Sequence, residues 1–173
     1  MIESTMTDNL ERSTKIKRRR LLLLQNMPVF GGISEETLGF ILQKTPIISV
    51  SKGEFFFHED EEGDAAYVLE EGRIKFLKNY QGQNYLMRVL SEGDCFGEMA
   101  MIGLYPRSGS AQAIEDCRAI KITFVILHEI HEKNPEQFTL ILMNMARDLS
   151  RRLRNVDNLL LGTLAKHHLR EPE

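Results

Sequence analysis

The residues best suited to binding a charged ligand lie at positions 96–111, which read FGEMAMIGLYPRSGSA. Gly97 allows the backbone to approach a ligand closely, and Met99 and Ala100 after it offer amide N–H donors. Arg107 carries a planar guanidinium whose donors match the oxygens of a phosphate. These groups together predict a site for a small anion.

Glu98 lies in the same stretch and does not fit a simple anion site, because its carboxylate would repel a phosphate. A carboxylate can only accept hydrogen bonds, which suits the hydroxyl group of a sugar. A phosphate site beside an acceptor for a sugar hydroxyl predicts a nucleotide as the ligand. The residues alone leave a second interpretation open, in which Glu98 and Arg107 form an ion pair that braces a loop.

Short β-rich segments separated by glycine turns surround this stretch, from about residue 47 to residue 123. Short strands at such even spacing favour an antiparallel barrel or sandwich. The alternation of Ile74, Lys75 and Phe76 predicts one buried and one solvated face. The predicted strands are 47–50, 54–58, 66–70, 73–80, 85–90, 109–114 and 118–123.

Helices are predicted on both sides of the strands. A first helix over about 15–26 ends before Pro28 and has a basic side, and its leucines at 21–24 are expected to pack inward. A second begins after the N-cap Ser34 and ends before Pro46. Two more are predicted at the C-terminal end, one over about 124–134 after the N-cap Thr123 and a long one over 135–161.

The long helix carries an apolar stripe at alternating spacings of four and three, which is the seam of a coiled coil. Met145 and the pair Leu140 and Ile141 form a second stripe that can face the strands. We therefore expect the first stripe to join two copies in a homodimer, the alternative being that it packs on its own barrel. The residues predicted at the dimer seam are Leu142, Leu149, Leu153, Val156 and Leu160.

Length and composition predict one domain over residues 15–163, between a disordered lead-in at 1–14 and a polar tail at 164–173. A net charge of −3, from 22 basic and 25 acidic residues, argues against a general nucleic-acid or membrane-surface role. The basic run at 15–20 leaves a local contact of either kind as a minority interpretation. No apolar run approaches the roughly 18–20 residues that span a bilayer.

The cysteines and histidines do not predict a metal site or a disulfide. Cys95 and Cys117 are far apart and have no second cysteine nearby, which fits a reducing cytoplasm. His128 and His131 share one side of a helix without further ligands in view, so a solvated helix face is the preferred interpretation. We expect neither a metal nor a cofactor.

Residues 96–108 resemble the phosphate-binding cassette of the cyclic nucleotide-binding domain family, which includes bacterial catabolite-activator regulators and cyclic nucleotide-dependent kinases and channels. The opening Phe96-Gly97-Glu98 and the small residue Ala100 match the family pattern. Pro106-Arg107 match its arginine, and the separation of nine residues between the acid and the base matches the kinase and channel members. Glycine turns upstream fall where the family has its barrel turns, so the likeness covers about 26–161.

The resemblance implies a mainly β fold with flanking helices, namely an antiparallel jelly-roll β-barrel followed by a long C-terminal helix. It implies cyclic AMP as the ligand, with cyclic GMP as the alternative. Arg107 would neutralise the cyclic phosphate, Ser108 would add a hydroxyl or an amide, and Glu98 would accept the ribose 2′-hydroxyl. The implied binding residues are Phe96, Gly97, Glu98, Met99, Ala100, Arg107 and Ser108, with Phe76, Met87, Arg151 and Asn155 at the base.

We therefore expect a non-enzymatic cytoplasmic receptor that signals by moving its last helix, either to a protein partner of unknown identity or across a dimer. The family's transcription factors place a helix-turn-helix domain after that helix, whereas only about a dozen residues follow Leu161 here. Direct DNA binding is therefore not expected. Gly109 and Ala111 depart from the family pattern of alanine and a β-branched residue, and we expect them to loosen the strand that fixes Arg107. They motivate an alternative, a degenerate barrel that mediates dimerisation without a nucleotide.

Overall fold

The structure, a computed structural model, describes residue 18 and residues 20–168 of the 173-residue chain. The predicted lead-in at 1–14, the first residues of the predicted helix 15–26 and the end of the predicted tail lie outside the described residues. The predicted strands, the rest of that helix and the other predicted helices lie within them.

Eight antiparallel strands form two four-stranded sheets, which confirms the jelly-roll prediction. One sheet has the order β1-β8-β3-β6 and the other the order β2-β7-β4-β5. The strands are β1 (Ile47–Val50), β2 (Phe55–Phe57), β3 (Ala65–Glu71), β4 (Ile74–Tyr80), β5 (Gln83–Leu90), β6 (Cys95–Phe96), β7 (Ser110–Ala113) and β8 (Cys117–Thr123).

The seven predicted strands are all present, with ends that differ by no more than two residues from those observed. The sequence reasoning missed β6, which pairs with Tyr67 and Val68 of β3. A strand of two residues is too short to show an alternating pattern. Its importance lies in its position, because β6 leads directly into the stretch that carries Glu98.

Strand β3 separates two apolar cores. Ala66 and Val68 pack against the helices, whereas Tyr67 and Leu69 point into the barrel. Successive side chains of a strand point to opposite faces, so a strand with helices on one side and barrel on the other is buried on both. The barrel core also contains Phe96, whose ring stacks on Tyr67 with 5.3 Å between the ring centroids.

The helices begin and end largely where the sequence predicts. They are α1 (helical at 18 and over 20–25), α2 (Glu35–Lys44), α3 (Glu98–Gly103), α4 (Phe124–Lys133) and α5 (Pro135–His168), with a 3-10 turn at Pro28–Phe30. Ser34 and Thr123 are N-caps as predicted, each accepting a backbone N–H bond through its side-chain oxygen. None of the helices in the described ranges is both long and apolar enough to cross a bilayer.

Two helix predictions need correction. Leu24 packs in the core and Leu21 packs against it, but Leu22 and Leu23 are exposed, because four consecutive helical residues cannot share one face. Helix α5 continues to His168 rather than ending at Leu161, so part of the predicted polar tail is helical. No proline follows Leu161 before position 172, and a single helical glycine is tolerated.

The first part of α5 packs on its own domain and the later part is exposed. Ile141 and Met145 are buried, as predicted for the stripe that faces the strands. Leu142 packs against the same core, which corrects its assignment to the dimer seam. Exposed apolar side chains of the predicted seam follow further along, with exposed fractions of 63% at Leu153, 57% at Val156 and 56% at Leu160. The homodimer itself stays a prediction.

Candidate functional site

The stretch predicted to bind the ligand forms a tight connection from β6 through α3 to Arg107. Gly97 caps α3 in the left-handed conformation, with φ of 76°, which favours glycine. A Cβ at this position would lie 2.6 Å from Nη1 of Arg107 and 3.2 Å from the Phe57 ring. Glycine is therefore needed both for the turn and for the close approach of the arginine, and the turn places Glu98 at the first position of α3.

Arg107 is held by the barrel and is 3% exposed. Its Nη1 donates to the carbonyl oxygens of Ala65 at 2.7 Å and Gly97 at 2.8 Å. The guanidinium carbon lies 4.3 Å from the centroid of the Phe57 ring, a cation–π contact. Burial lowers the pKa of Arg107. Its Nε is buried and has no hydrogen-bond partner among the described residues, so the fixed guanidinium retains a donor for a ligand.

The backbone around Arg107 is fixed as well. The amide N–H of Arg107 donates to the carbonyl oxygen of Glu61 at 2.8 Å, and its own carbonyl oxygen accepts from the amide of Asp60 at 3.0 Å. Lys78 Nζ donates to the carbonyl oxygen of the neighbouring Ser108 at 2.9 Å. The loop before β3 and the end of β4 thus hold the predicted phosphate side of the site from two directions.

Glu98 is 1% exposed and does not pair with Arg107. Its Oε1 accepts from Nη1 of Arg152 at 2.7 Å. Glu98 therefore forms an ion pair, but its partner is Arg152 on α5 and not Arg107 as the second interpretation predicted. Oε2 is buried and has no hydrogen-bond partner in the described part of the chain. Burial raises the pKa of Glu98, and the charge of Arg152 partly opposes that effect. The acid is thus tied to α5 and the base to the barrel.

The sequence reasoning missed Arg152 by one residue. Arg152 also donates to the carbonyl oxygen of Cys95, and its Nη2 lies 2.5 Å from Oδ2 of Asp148 one turn earlier. Arg151 contacts Asp148 from the solvent side, and its side chain is 61% exposed. Asn155 is exposed too, so the structure brings neither predicted helix residue to the site. The spacing of four residues between Asp148 and Arg152, typical of an ion pair along one helix face, was the sequence feature that could have pointed to Arg152.

On the strand side of the predicted base pocket, too, the inward-facing residue lies one position from a predicted one. Phe76 lines the site, but Met87 is 59% exposed on the outer side of β5. Alternation along the strand places Arg88 inward instead, with its guanidinium carbon 4.9 Å from the centroid of the Phe76 ring. Nε of Arg88 is buried without a hydrogen-bond partner in the described ranges.

The site consists of a narrow cavity and an adjoining groove. The cavity measures about 10 Å³, and the groove between α3 and α5 measures about 310 Å³. Arg88 and Met99 line both spaces, and Arg152 lines the groove. Phe96 lies in the barrel core rather than in the cavity wall. The residues around the cavity are Phe57, Phe76, Arg88, Gly97, Glu98, Met99, Ala100, Arg107 and Ser108.

The two departures from the family pattern have packing reasons. A Cβ at Gly109 would lie 2.5 Å from the carbonyl oxygen of Leu77 and 2.7 Å from the Phe76 ring. Ala111 is fully buried and pairs with Phe57 on one side and Phe76 on the other. Small residues at both positions therefore accommodate neighbouring rings that line the cavity, which argues against the expected loosening.

Comparisons with known proteins agree with this geometry. The chain is 26% identical over 137 residues to a CRP-like cAMP-activated global transcriptional regulator of Mycobacterium tuberculosis, a match that covers 79% of this chain and 59% of the regulator. It is 27% identical over 135 residues to the cyclic AMP receptor protein of Thermus thermophilus, covering 78% of this chain and 61% of the receptor. The chain thus spans about three fifths of the length of these relatives.

A solved cyclic nucleotide-binding domain from Methylobacillus flagellatus superposes with a TM-score of 0.75 at 19% identity, over 86% of this chain and 84% of that one. This likeness shows the fold. The family model described as the cyclic nucleotide-binding domain matches residues 47–134, just over half of the chain. The match begins at β1, ends just after α4 and includes both Glu98 and Arg107. This protein belongs to the cyclic nucleotide-binding domain family.

Proposed function

We propose that this protein is a non-enzymatic receptor for a cyclic nucleotide, with cyclic AMP as its ligand and cyclic GMP as the second candidate. One observation carries the proposal: a buried base and a buried acid line the same cavity, and each has a polar atom without a partner in the described part of the chain. Buried charged groups normally have partners, because leaving them without one is costly. A ligand with a phosphate and a sugar hydroxyl supplies both.

The two groups fit different parts of such a ligand. Arg107 presents donors that suit the negative oxygens of a cyclic phosphate. Glu98, when ionised, presents only acceptors, which suit the ribose 2′-hydroxyl. The names of the two relatives support cyclic AMP in particular, since both name cyclic AMP.

Helix α5 is the element through which we propose that the receptor signals. Arg152 on α5 contacts both Glu98 and the carbonyl oxygen of Cys95, so the helix touches the binding cassette directly. A ligand can shift the position of a helix only if it interacts differently with the two positions. A ligand that engages Glu98 meets this condition, because it changes the partner of Arg152.

We propose a second copy of the chain as the first partner of α5, through the exposed part of the predicted seam at Leu153, Val156 and Leu160. A further protein partner would then bind according to the position of the helix.

The proposed location is the cytoplasm. The buried thiols of Cys95 and Cys117 lie in separate core clusters and are compatible with it.

Isothermal titration calorimetry with cyclic AMP, cyclic GMP and cyclic di-GMP tests the proposal. We expect saturable binding of cyclic AMP and a loss of roughly 30- to 5000-fold in affinity for Arg107→Ala, since removing one partner of a buried charge pair costs about 2–5 kcal/mol. Arg107→Lys keeps the charge without the planar fork and should lose less. Circular dichroism verifies folding, and the exposed Arg147→Ala is the control. A folded wild-type protein that binds none of the three nucleotides would refute the proposal.

A further inference from the structure

We propose that Arg152 is an internal competitor for the ribose: its contact with Glu98 blocks the carboxylate that the 2′-hydroxyl requires, and nucleotide binding releases Arg152 from Glu98 while its ion pair with Asp148 is kept. This inference rests on the proposed function and adds to it the residue that couples the ligand to α5. It follows from three features of the contacts around Glu98.

The first feature is the lack of space beside Glu98. The cavity of about 10 Å³ holds about one water molecule, far less than a ribose needs. Oε2 of Glu98 is buried, and Oε1 is bound to Arg152 at 2.7 Å. A sugar hydroxyl can therefore reach the carboxylate only if a neighbouring side chain moves.

The second feature is that Arg152 contacts the wall of the narrow cavity and also lines the wider groove. It binds Glu98 of the cavity wall and also lines the groove of about 310 Å³. Its side chain is 15% exposed and belongs to α5, whereas Arg107 is bound to carbonyl oxygens of the barrel. Displacing Arg152 from Glu98 frees the carboxylate and breaks only contacts between α5 and the β6–α3 connection.

The third feature is that Arg152 already has an alternative partner. Asp148 lies one turn earlier on α5, with Oδ2 at 2.5 Å from Nη2 of Arg152. A released Arg152 therefore keeps an ion pair within its own helix. Arg88 lines the same cavity as Glu98 and keeps a positive charge near its carboxylate. The exchange leaves neither Glu98 nor Arg152 without an opposite charge nearby.

Calorimetry with cyclic AMP and 2′-deoxy cyclic AMP tests the competition. Arg152→Gln should bind cyclic AMP about tenfold more tightly than the wild type, because a charge-assisted hydrogen bond no longer competes for Glu98. In the wild type, removing the 2′-hydroxyl should cost less than about threefold, since Arg152 can then stay on Glu98. In Arg152→Gln the same removal should cost about tenfold.

Arg147→Gln is the matched control, because Arg147 is exposed on the same helix and bonds only to Asn144 among the described residues. It should bind both nucleotides as the wild type does. If Arg152→Gln does not fold, Arg152→Lys replaces it. Lysine keeps the charge but cannot bridge Glu98, Asp148 and the Cys95 carbonyl in one planar group, so it should show the same changes at smaller size.

The outcomes separate this inference from the proposed function. Wild-type binding with no gain in Arg152→Gln and an unchanged response to 2′-deoxy cyclic AMP overturns the inference alone. Binding by Arg152→Gln but not by the wild type supports it. If neither folded protein binds cyclic AMP, cyclic GMP or cyclic di-GMP, the proposed function and the inference fail together.

Discussion

Replacing Arg152 by glutamine should lower the free energy of unfolding and make it depend differently on pH. The substitution leaves the buried carboxylate of Glu98 without the guanidinium that lies 2.7 Å from it. The side chains are 2% exposed at Glu98 and 15% exposed at Arg152, so solvent screens their interaction only weakly. Leaving a buried polar group without its partner costs about 1–3 kcal/mol, which is the expected loss near neutral pH.

The loss should shrink as the pH falls. Burial already raises the pKa of Glu98, and Arg152 partly opposes that effect, so the pKa rises further in the variant. A carboxyl with a higher pKa in the folded state than in the unfolded state stabilises the fold fully below the unfolded pKa. That contribution is lost as the pH rises through the folded pKa. The variant is therefore closest to the wild type in acid and furthest from it at neutral pH.

Urea denaturation followed by far-ultraviolet circular dichroism measures this effect at pH 7 and at about pH 4.5, near the unfolded pKa of glutamate. Wild type, Arg152→Gln and Arg147→Gln are compared at both values. We expect a deficit of about 1–3 kcal/mol at pH 7 for Arg152→Gln, a clearly smaller deficit in acid, and none for Arg147→Gln. An equal deficit at both pH values would show that Arg152 does not act through Glu98, and the reasoning would be refuted.

Two further predictions concern packing and assembly. Gly109→Ala should destabilise the fold by about 1–3 kcal/mol in the same urea assay, because the added methyl group meets the Leu77 carbonyl oxygen and the Phe76 ring. An unchanged midpoint would contradict this packing argument and support the expectation that Gly109 only loosens its strand. Leu153→Glu with Val156→Glu should convert a dimer to a monomer in analytical ultracentrifugation without loss of circular dichroism signal. A wild-type protein that is monomeric at every concentration would contradict the homodimer.

The barrel and the cassette could be predicted from the sequence because they are built from local signals. Glycine turns and alternating side chains marked seven of the eight strands in the described residues, and the resemblance of residues 96–108 to the family's cassette indicated the site. The sequence predicted a close approach of the backbone to a ligand at Gly97, and the structure shows a close approach to Nη1 of Arg107 there. These features depend on residues close together in the chain, where the backbone itself sets the geometry.

Two differences in the site share one physical origin, the rotation of side chains about an element. The sequence predicts Met87 and Arg151 at the base, whereas the structure directs Arg88 and Arg152 inward. A shift of one residue turns a strand by half a revolution and a helix by over a quarter, so the correct segment can present the wrong side chain. The tertiary contact of α5 with Glu98 fixes that rotation, and its two ends lie 54 residues apart.

The two charged groups of the site, Arg107 and Glu98, are held by different parts of the molecule. This difference suggests which of them contributes mainly to affinity and which to signalling under the proposed function. Arg107 is fixed by the carbonyl oxygen of Ala65 in the barrel and by that of Gly97 in the β6–α3 connection, and it has no contact with α5 among the described residues, so the proposed phosphate half of the site depends less on that helix. Glu98 is bound to α5 through Arg152, so the proposed ribose half depends on the position of that helix. Under the proposed function we therefore expect the phosphate contact mainly to supply affinity, and the ribose contact to supply the free energy difference between helix positions that a signal requires.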